Sequence, residues 1–150
     1  MVSKYTQGVF TPKNPQKIVG NKRAQYRSSW ELRVMSFLDE HPNVIQWGSE
    51  CVRIPYVNPL TGKSTIYVPD FLIKYADAKG TQRVELVEVK PKKETFIEAA
   101  KSKRDKAYVI LNTAKWTAAL KFCERHGIKF RILNEDDIFV TKVKAKARKR

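Results

Sequence analysis

Asp70, Glu88 and Lys90 are the residues whose types and spacing could do chemistry. They lie in "YVPDFLIKYADAKGTQRVELVEVKPKK", Tyr67 to Lys93, which alternates like two β-strands around a turn. Two carboxylates and a lysine on apolar strands are costly to bury unless something offsets the cost. A three-residue turn at Ala78-Lys79-Gly80, with Gly80 in the left-handed position such loops favour, sets Asp77 opposite Thr81 and Asp70 opposite Glu88. Directly opposed side chains have Cβ atoms roughly 4.5–5.5 Å apart, where like charges repel. Alternation then puts Val84, Leu86, Glu88 and Lys90 on one side of the strand and Glu85, Val87 and Val89 on the other. Pro69 implies an edge or a bulge, either of which could shift this register.

A divalent cation between Asp70 and Glu88 would turn that repulsion into binding. Mg²⁺ commonly takes one or two carboxylates plus waters and leaves positions for phosphate oxygens. Lys90, two residues from Glu88, could hold an attacking water or stabilise charge gathering on phosphorus. A bound metal polarises the phosphate and acidifies its water. Paired acids, a lysine and a basic surface together describe phosphodiester hydrolysis. A surface-exposed Glu88 and Lys90, with Asp70 merely ending a strand, is the structural alternative.

The elements that must position these groups are legible in outline. "SSWELRVMSFLDEHP" reads as a helix capped by Ser28, with Glu31 three residues on and Pro42 as the stop. Trp30, Val34, Phe37 and Leu38 supply its apolar face. "NVIQWGSE", "CVRIPYV", "STIYVPDFLIKY" and "RVELVEVK" read as strands, with "NPLTGK" a turn. "TFIEAAKSKRDKAYVILN" is ambiguous. "AKWTAALKFCERHG" is a clearer helix, with Trp116, Ala119, Leu120 and Cys123 on one face and Gly127 as its end. "IKFRIL" is a last strand, and "NEDDIF" starts a short final element. The order predicts an α/β (α+β) domain, a mixed β-sheet flanked by helices.

The charge narrows the partners. The chain has 150 residues, enough for one domain with a substantial core. Thirty Lys and Arg against 15 acids give a formal net charge of +15. Self-repulsion of that size points to a polyanion, with DNA the first candidate. No apolar basic helix suits a membrane surface. Six basic residues and no acid occupy the stretch to Trp30, and six more occupy the last ten residues. Residues 1–26, with Pro12, Pro15, Gly8 and Gly20, read as a basic arm with little regular structure. Residues 27–140 read as the folded domain and 141–150 as a basic tail. Lys22, Arg23, Tyr26, Arg27, Lys92, Lys93, Lys142, Lys144, Lys146, Arg148, Lys149 and Arg150 are the candidate DNA contacts. Arg27 suits two-point phosphate binding. Cys51 and Cys123 are too few for a disulfide framework or zinc site, and His41 and His126 have no ligand spacing. The polar N-terminus shows no signal peptide. Trp30, Trp47 and Trp116 read as core, Glu50 and Glu85 as structural or surface acids.

Pro69-Asp70 and Glu88-Val89-Lys90 resemble the signature of the PD-(D/E)xK nuclease superfamily. "RSSWE" (Arg27 to Glu31), "YVPDF" (Tyr67 to Phe71), "VEVKP" (Val87 to Pro91) and the closing pattern from Ala114 to Leu133 resemble the TnsA-type endonuclease catalytic domain. The compact layout, from "NPQKIVGN" onward, is similar to that of the head-completion nucleases of large contractile-tailed bacteriophages. The resemblance implies a restriction-endonuclease-like fold. It implies an Mg²⁺-dependent DNA endonuclease, with Mn²⁺ substituting, that uses no small-molecule cofactor. Glu31 becomes a further active-site acid, reaching the metal through a water, although Ser28-x-x-Glu31 is equally a capping box. The Val89 backbone carbonyl joins Asp70 and Glu88 as a metal ligand. Some TnsA relatives carry Gln at the position of Glu88, which leaves open whether it is a metal ligand or a base.

The resemblance also implies work in the virion and in the cytoplasm of an infected bacterium. There the chain would process packaged DNA ends before tail attachment, with portal or neck proteins as partners. The competing function is a structural head-completion plug that binds DNA without essential catalysis. A plain ribosomal-type nucleic-acid binder would not need clustered carboxylates. No base-reading motif is present, which implies low sequence specificity.

Overall fold

The computed structural model describes residues 7–95 and 101–137. Helix α1 (Ser29–Glu40) starts at Ser28, whose hydroxyl accepts from the Glu31 amide at 3.2 Å. Its buried stripe is Val34, Met35, Leu38 and Asp39. Phe37, expected on that face, lies outside the stripe and is 49% exposed.

The main sheet has the order β3 (Val44–Ser49), β6 (Phe71–Ala76), β7 (Gln82–Val89), β8 (Lys129–Leu133). Its first three strands are antiparallel, and β8 runs parallel to β7. Helix α2 (Lys103–His126) links β7 to β8, the long crossover that a parallel pair requires. This is the expected α+β architecture, a mixed sheet with helices consistent with a restriction-endonuclease-like domain.

Alternation along β6 and β7 divides the core. Phe71, Ile73, Val87 and Val89 pack with Trp47 and α1. Leu86 packs on the other face with Trp116, Ala119 and Cys123 of α2. The turn has the expected form: Gly80 has φ +80, and the Asp77 amide donates to the Thr81 carbonyl at 2.9 Å. Phe71 pairs with Val87, as the predicted register requires, and Pro69 does not shift it.

Four further expectations need correction. "STIYVPDFLIKY" is not one strand. β5 (Ser64–Tyr67) pairs with β4 (Ile54–Val57) in a separate hairpin, and β6 begins only at Phe71. Pro69, which has no amide hydrogen to donate to a ladder, marks the break. Secondly, α2 is one helix of 24 residues and absorbs the ambiguous segment from Lys103 onward. Ser102 caps it, accepting from the Asp105 amide at 3.0 Å, and Gly127 ends it at φ 65. Thirdly, Leu120 faces outward, 56% exposed. Fourthly, the expected arm is largely folded onto the domain. β1 (Gly8–Val9) pairs with β2 (Gln25–Tyr26), and Phe10, Ile18 and Ala24 enter the α1-side core. Asp39 anchors it, accepting from the backbone amides of Lys13 (2.8 Å) and Asn14 (3.0 Å). Residues 138–150, including the end of "NEDDIF" and the basic tail, lie outside the described residues.

Candidate active site

Asp70 occupies the corner where the chain leaves the β4–β5 hairpin for the main sheet. Its carbonyl accepts from the Glu50 amide at 3.0 Å, and its Oδ2 accepts from the Val89 amide at 2.7 Å. Those bonds tie it between the end of β3 and the end of β7. Glu88, next to Val89, is 4% exposed. Burial foremost, and then the Glu88 carboxylate, hold the Asp70 carboxyl well above its usual pKa, while the Val89 amide and Lys90 oppose the rise. Lys90 is fixed through its backbone, which donates to Leu133 at 2.9 Å.

Glu31 approaches from the first turn of α1. Burial first and the negative charge of Asp70 second raise its pKa to about 7. Its carboxylate accepts from the Arg27 amide at 3.3 Å and lies 3.3 Å from the Ser28 hydroxyl. The residue therefore stays in the capping network and shares the electrostatic neighbourhood of Asp70. Glu31, Glu88 and Lys90 are thus all electrostatic neighbours of Asp70.

That site is not the roomiest concavity in the fold. A cavity of about 910 Å³ opens between the end of α1 and the sheet, lined by Phe37, Val44, Ile73, Tyr75 and Leu133 among others. None of the four catalytic candidates lines it.

The family model described as "TnsA-like endonuclease N terminal" matches residues 41–135. The chain belongs to this family. The matched segment contains Asp70, Glu88 and Lys90, while Glu31 precedes it. The chain is also 40% identical over 142 residues to the head completion nuclease of Enterobacteria phage T4. That match covers 87% of this chain and 92% of the relative.

The donor set can be tested against a metal. Among the described residues no group of three or more His, Cys, Asp or Glu is arranged to hold an ion. The available set is a buried Glu88 beside a partly buried Asp70, which suits Mg²⁺ with several waters and not a closed structural zinc site. Glu88 makes none of the ion pairs found among the described residues.

The candidate DNA contacts divide. Arg27 is held by Glu50 through two bonds, Nε at 2.8 Å and a second at 3.1 Å. Lys92 pairs with Asp136, Lys93 stands 4.0 Å from Asp105, and the Lys22 ammonium donates to the Ile18 carbonyl. Arg23 is exposed, whereas Tyr26 is partly buried against the α1-side core. Lys142, Lys144, Lys146, Arg148, Lys149 and Arg150 lie outside the described residues. No helix among the described residues is long and apolar enough to cross a membrane.

Sequence reasoning missed three neighbours of the site. Glu50, read as structural or surface, bonds to Asp70 through its backbone and adopts φ 51, unusual for a residue other than glycine. Its charge also reaches Glu31. Tyr67 is 3% exposed, its hydroxyl beside the Glu88 carboxylate and the Trp116 indole. Burial and the adjacent Glu88 push that hydroxyl's pKa up. Lys115, on α2, has its Nζ 5.7 Å from the centre of the Tyr67 ring. A tyrosine three residues before Asp70 was a readable hint. Nothing local to Lys115 marks it, because only the packing of α2 brings it near the acids.

Proposed function

We propose that the chain is a metal-dependent DNA endonuclease of low sequence specificity that acts in phage head completion, trimming packaged DNA ends before tail attachment. The observation that carries this reading is the Asp70–Glu88 carboxylate pair, which makes no salt bridge among the described residues. Membership of an endonuclease family and likeness to a head completion nuclease support it.

Asp70, Glu88 and the Val89 carbonyl would hold Mg²⁺, or Mn²⁺ in its place, with Glu31 reaching it through water. When bound, the ion polarises the phosphate and lowers the pKa of water. The chain's own groups carry the remaining work. Glu31, titrating about 7, is suited to take a proton from the attacking water near neutral pH. The water oxygen forms a new bond to phosphorus as the bond to the leaving sugar oxygen breaks, and that oxygen regains a proton from solvent. Lys90 stabilises the charge on the non-bridging oxygens during this exchange. Exposed cations grip phosphates and read no bases, hence the low specificity. Work in the virion and the infected cell, beside portal or neck proteins, belongs to the same proposal.

The test is incubation of the purified protein with linear and circular DNA, in Mg²⁺ and in EDTA, beside Glu88→Ala. Cutting of both DNAs in Mg²⁺ by the parent alone is the expected result. DNA binding without cleavage in any divalent metal would instead favour the structural plug, a reading that draws on the net charge of +15.

A further inference from the structure

Lys115 occupies an electrostatically awkward position. It is half-buried on α2, immediately before the core residue Trp116. Its Nζ lies 5.7 Å from the centre of the Tyr67 ring, within cation–π range. It makes none of the ion pairs found among the described residues. The same tyrosine borders the site: its buried hydroxyl has the Glu88 and Asp70 carboxylates and the Trp116 indole as neighbours. Burial first, and repulsion from Lys90 second, lower the Lys115 pKa, against the attraction of Glu88, Asp70 and Glu94.

The site therefore contains two like-charged neighbourhoods. Asp70 and Glu88 repel one another, and so do Lys90 and Lys115. A metal ion relieves the first repulsion, and a phosphate oxyanion relieves the second.

We propose that Lys115 is a second cationic group of the active site, contacting the scissile phosphate from α2 as Lys90 does from β7. The assignment rests on the nuclease reading above. In it, the Tyr67 ring supports the lysine stem and keeps the ammonium from collapsing onto Glu88. The two lysines share the negative charge that builds on the phosphate oxygens as the water attacks.

The test compares the parent, Lys90→Ala, Lys115→Met and Lys115→Arg as full-length proteins. It measures kcat and KM on linear duplex DNA in Mg²⁺, DNA affinity in EDTA, and thermal midpoint. Methionine keeps an apolar stem over Tyr67, so the fold is preserved while the charge is lost. Lys115→Met is expected to lose about 10²-fold in kcat with DNA affinity and midpoint near those of the parent, and Lys115→Arg to recover much of the loss. If the parent and Lys115→Met share the same kcat while Lys90→Ala is inert, the Lys115 assignment is overturned and the nuclease reading stands. A loss confined to KM and DNA affinity also overturns it, since Lys115 would then be a grip on DNA and no part of the reacting centre. A parent inert in both Mg²⁺ and Mn²⁺ brings down the nuclease reading first, and Lys115 with it.

Discussion

Glu85 and Glu88 lie three residues apart on β7, each 4% exposed, on opposite faces of the sheet. Glu85 faces the α1 side. It pairs with Arg131 of β8 at 2.7 Å and accepts a hydrogen bond from the Tyr75 hydroxyl. Glu88 faces the α2 side, where another carboxylate, Asp70, is its charged neighbour and no salt bridge closes it. Asp39 on α1 is a third buried acid, satisfied by two backbone amides. A buried carboxylate with its own donors is part of the scaffold. One placed against a second carboxylate carries a continuing cost, and a cation supplied from outside removes it.

The largest expected effect breaks that comparison at its active side. Glu88→Ala and Lys90→Ala should each lower cleavage by roughly 10²–10³ or more. Their thermal midpoints should not fall, and that of Glu88→Ala should rise slightly above the parent's in metal-free buffer, since a repulsive pair is gone. A large fall in the midpoint of Glu88→Ala would make Glu88 a scaffold acid like Glu85.

The scaffold side should answer in the opposite way. Arg131→Ala strands the Glu85 carboxylate and should cost on the order of 1–3 kcal/mol in denaturant unfolding, the low end reflecting the exposure of Arg131. Cleavage per folded molecule should not change. Lost activity at full stability would place Arg131 in the chemistry and erase the contrast.

A smaller effect concerns pH. Glu31 titrates about 7 against an ordinary 4.5, so the native state binds more protons than the unfolded chain between those values. Its contribution to stability is complete at low pH and is lost as pH rises towards neutrality. The raised pKa of Asp70 acts in the same direction. In EDTA, Glu31→Gln should therefore melt higher than the parent at pH 8, on the order of 2–4 °C, and differ little at pH 4. Equal midpoints at pH 8 would show that Glu31 is not desolvated beside Asp70.

The smallest effect extends the contrast to cations. Lys92, Lys93 and Arg27 have protein partners, so the tail is expected to supply much of the grip on DNA. If about six phosphates are neutralised, the log–log slope of affinity against salt is roughly −5 for duplex DNA. Deleting residues 142–150 should flatten that slope without changing the fold. An unaltered slope would assign the phosphate contacts to the described domain.

The hairpin register and the facing of Asp70 and Glu88 were legible in the sequence because they are local. A turn of given length with glycine at its left-handed position and an alternating apolar pattern specify which residues oppose one another. Both helix N-caps lay in the same local code, although only Ser28 was read from it; the cap at Ser102 was hidden in a segment without clear periodicity. Tertiary structure decided what local pattern does not contain. Whether an acid on β7 is scaffold or site depends on what β8 and α2 bring to it: Arg131 reaches Glu85 from 46 residues away, and Lys115 comes near the acids from the far side of a crossover. The same holds for the N-terminal segment, whose prolines and charges read as a loose arm until Phe10, Ile18 and Ala24 found a core to enter. Burial and partner charge set the protonation and cost of each of these groups, and both arise only when distant segments pack together.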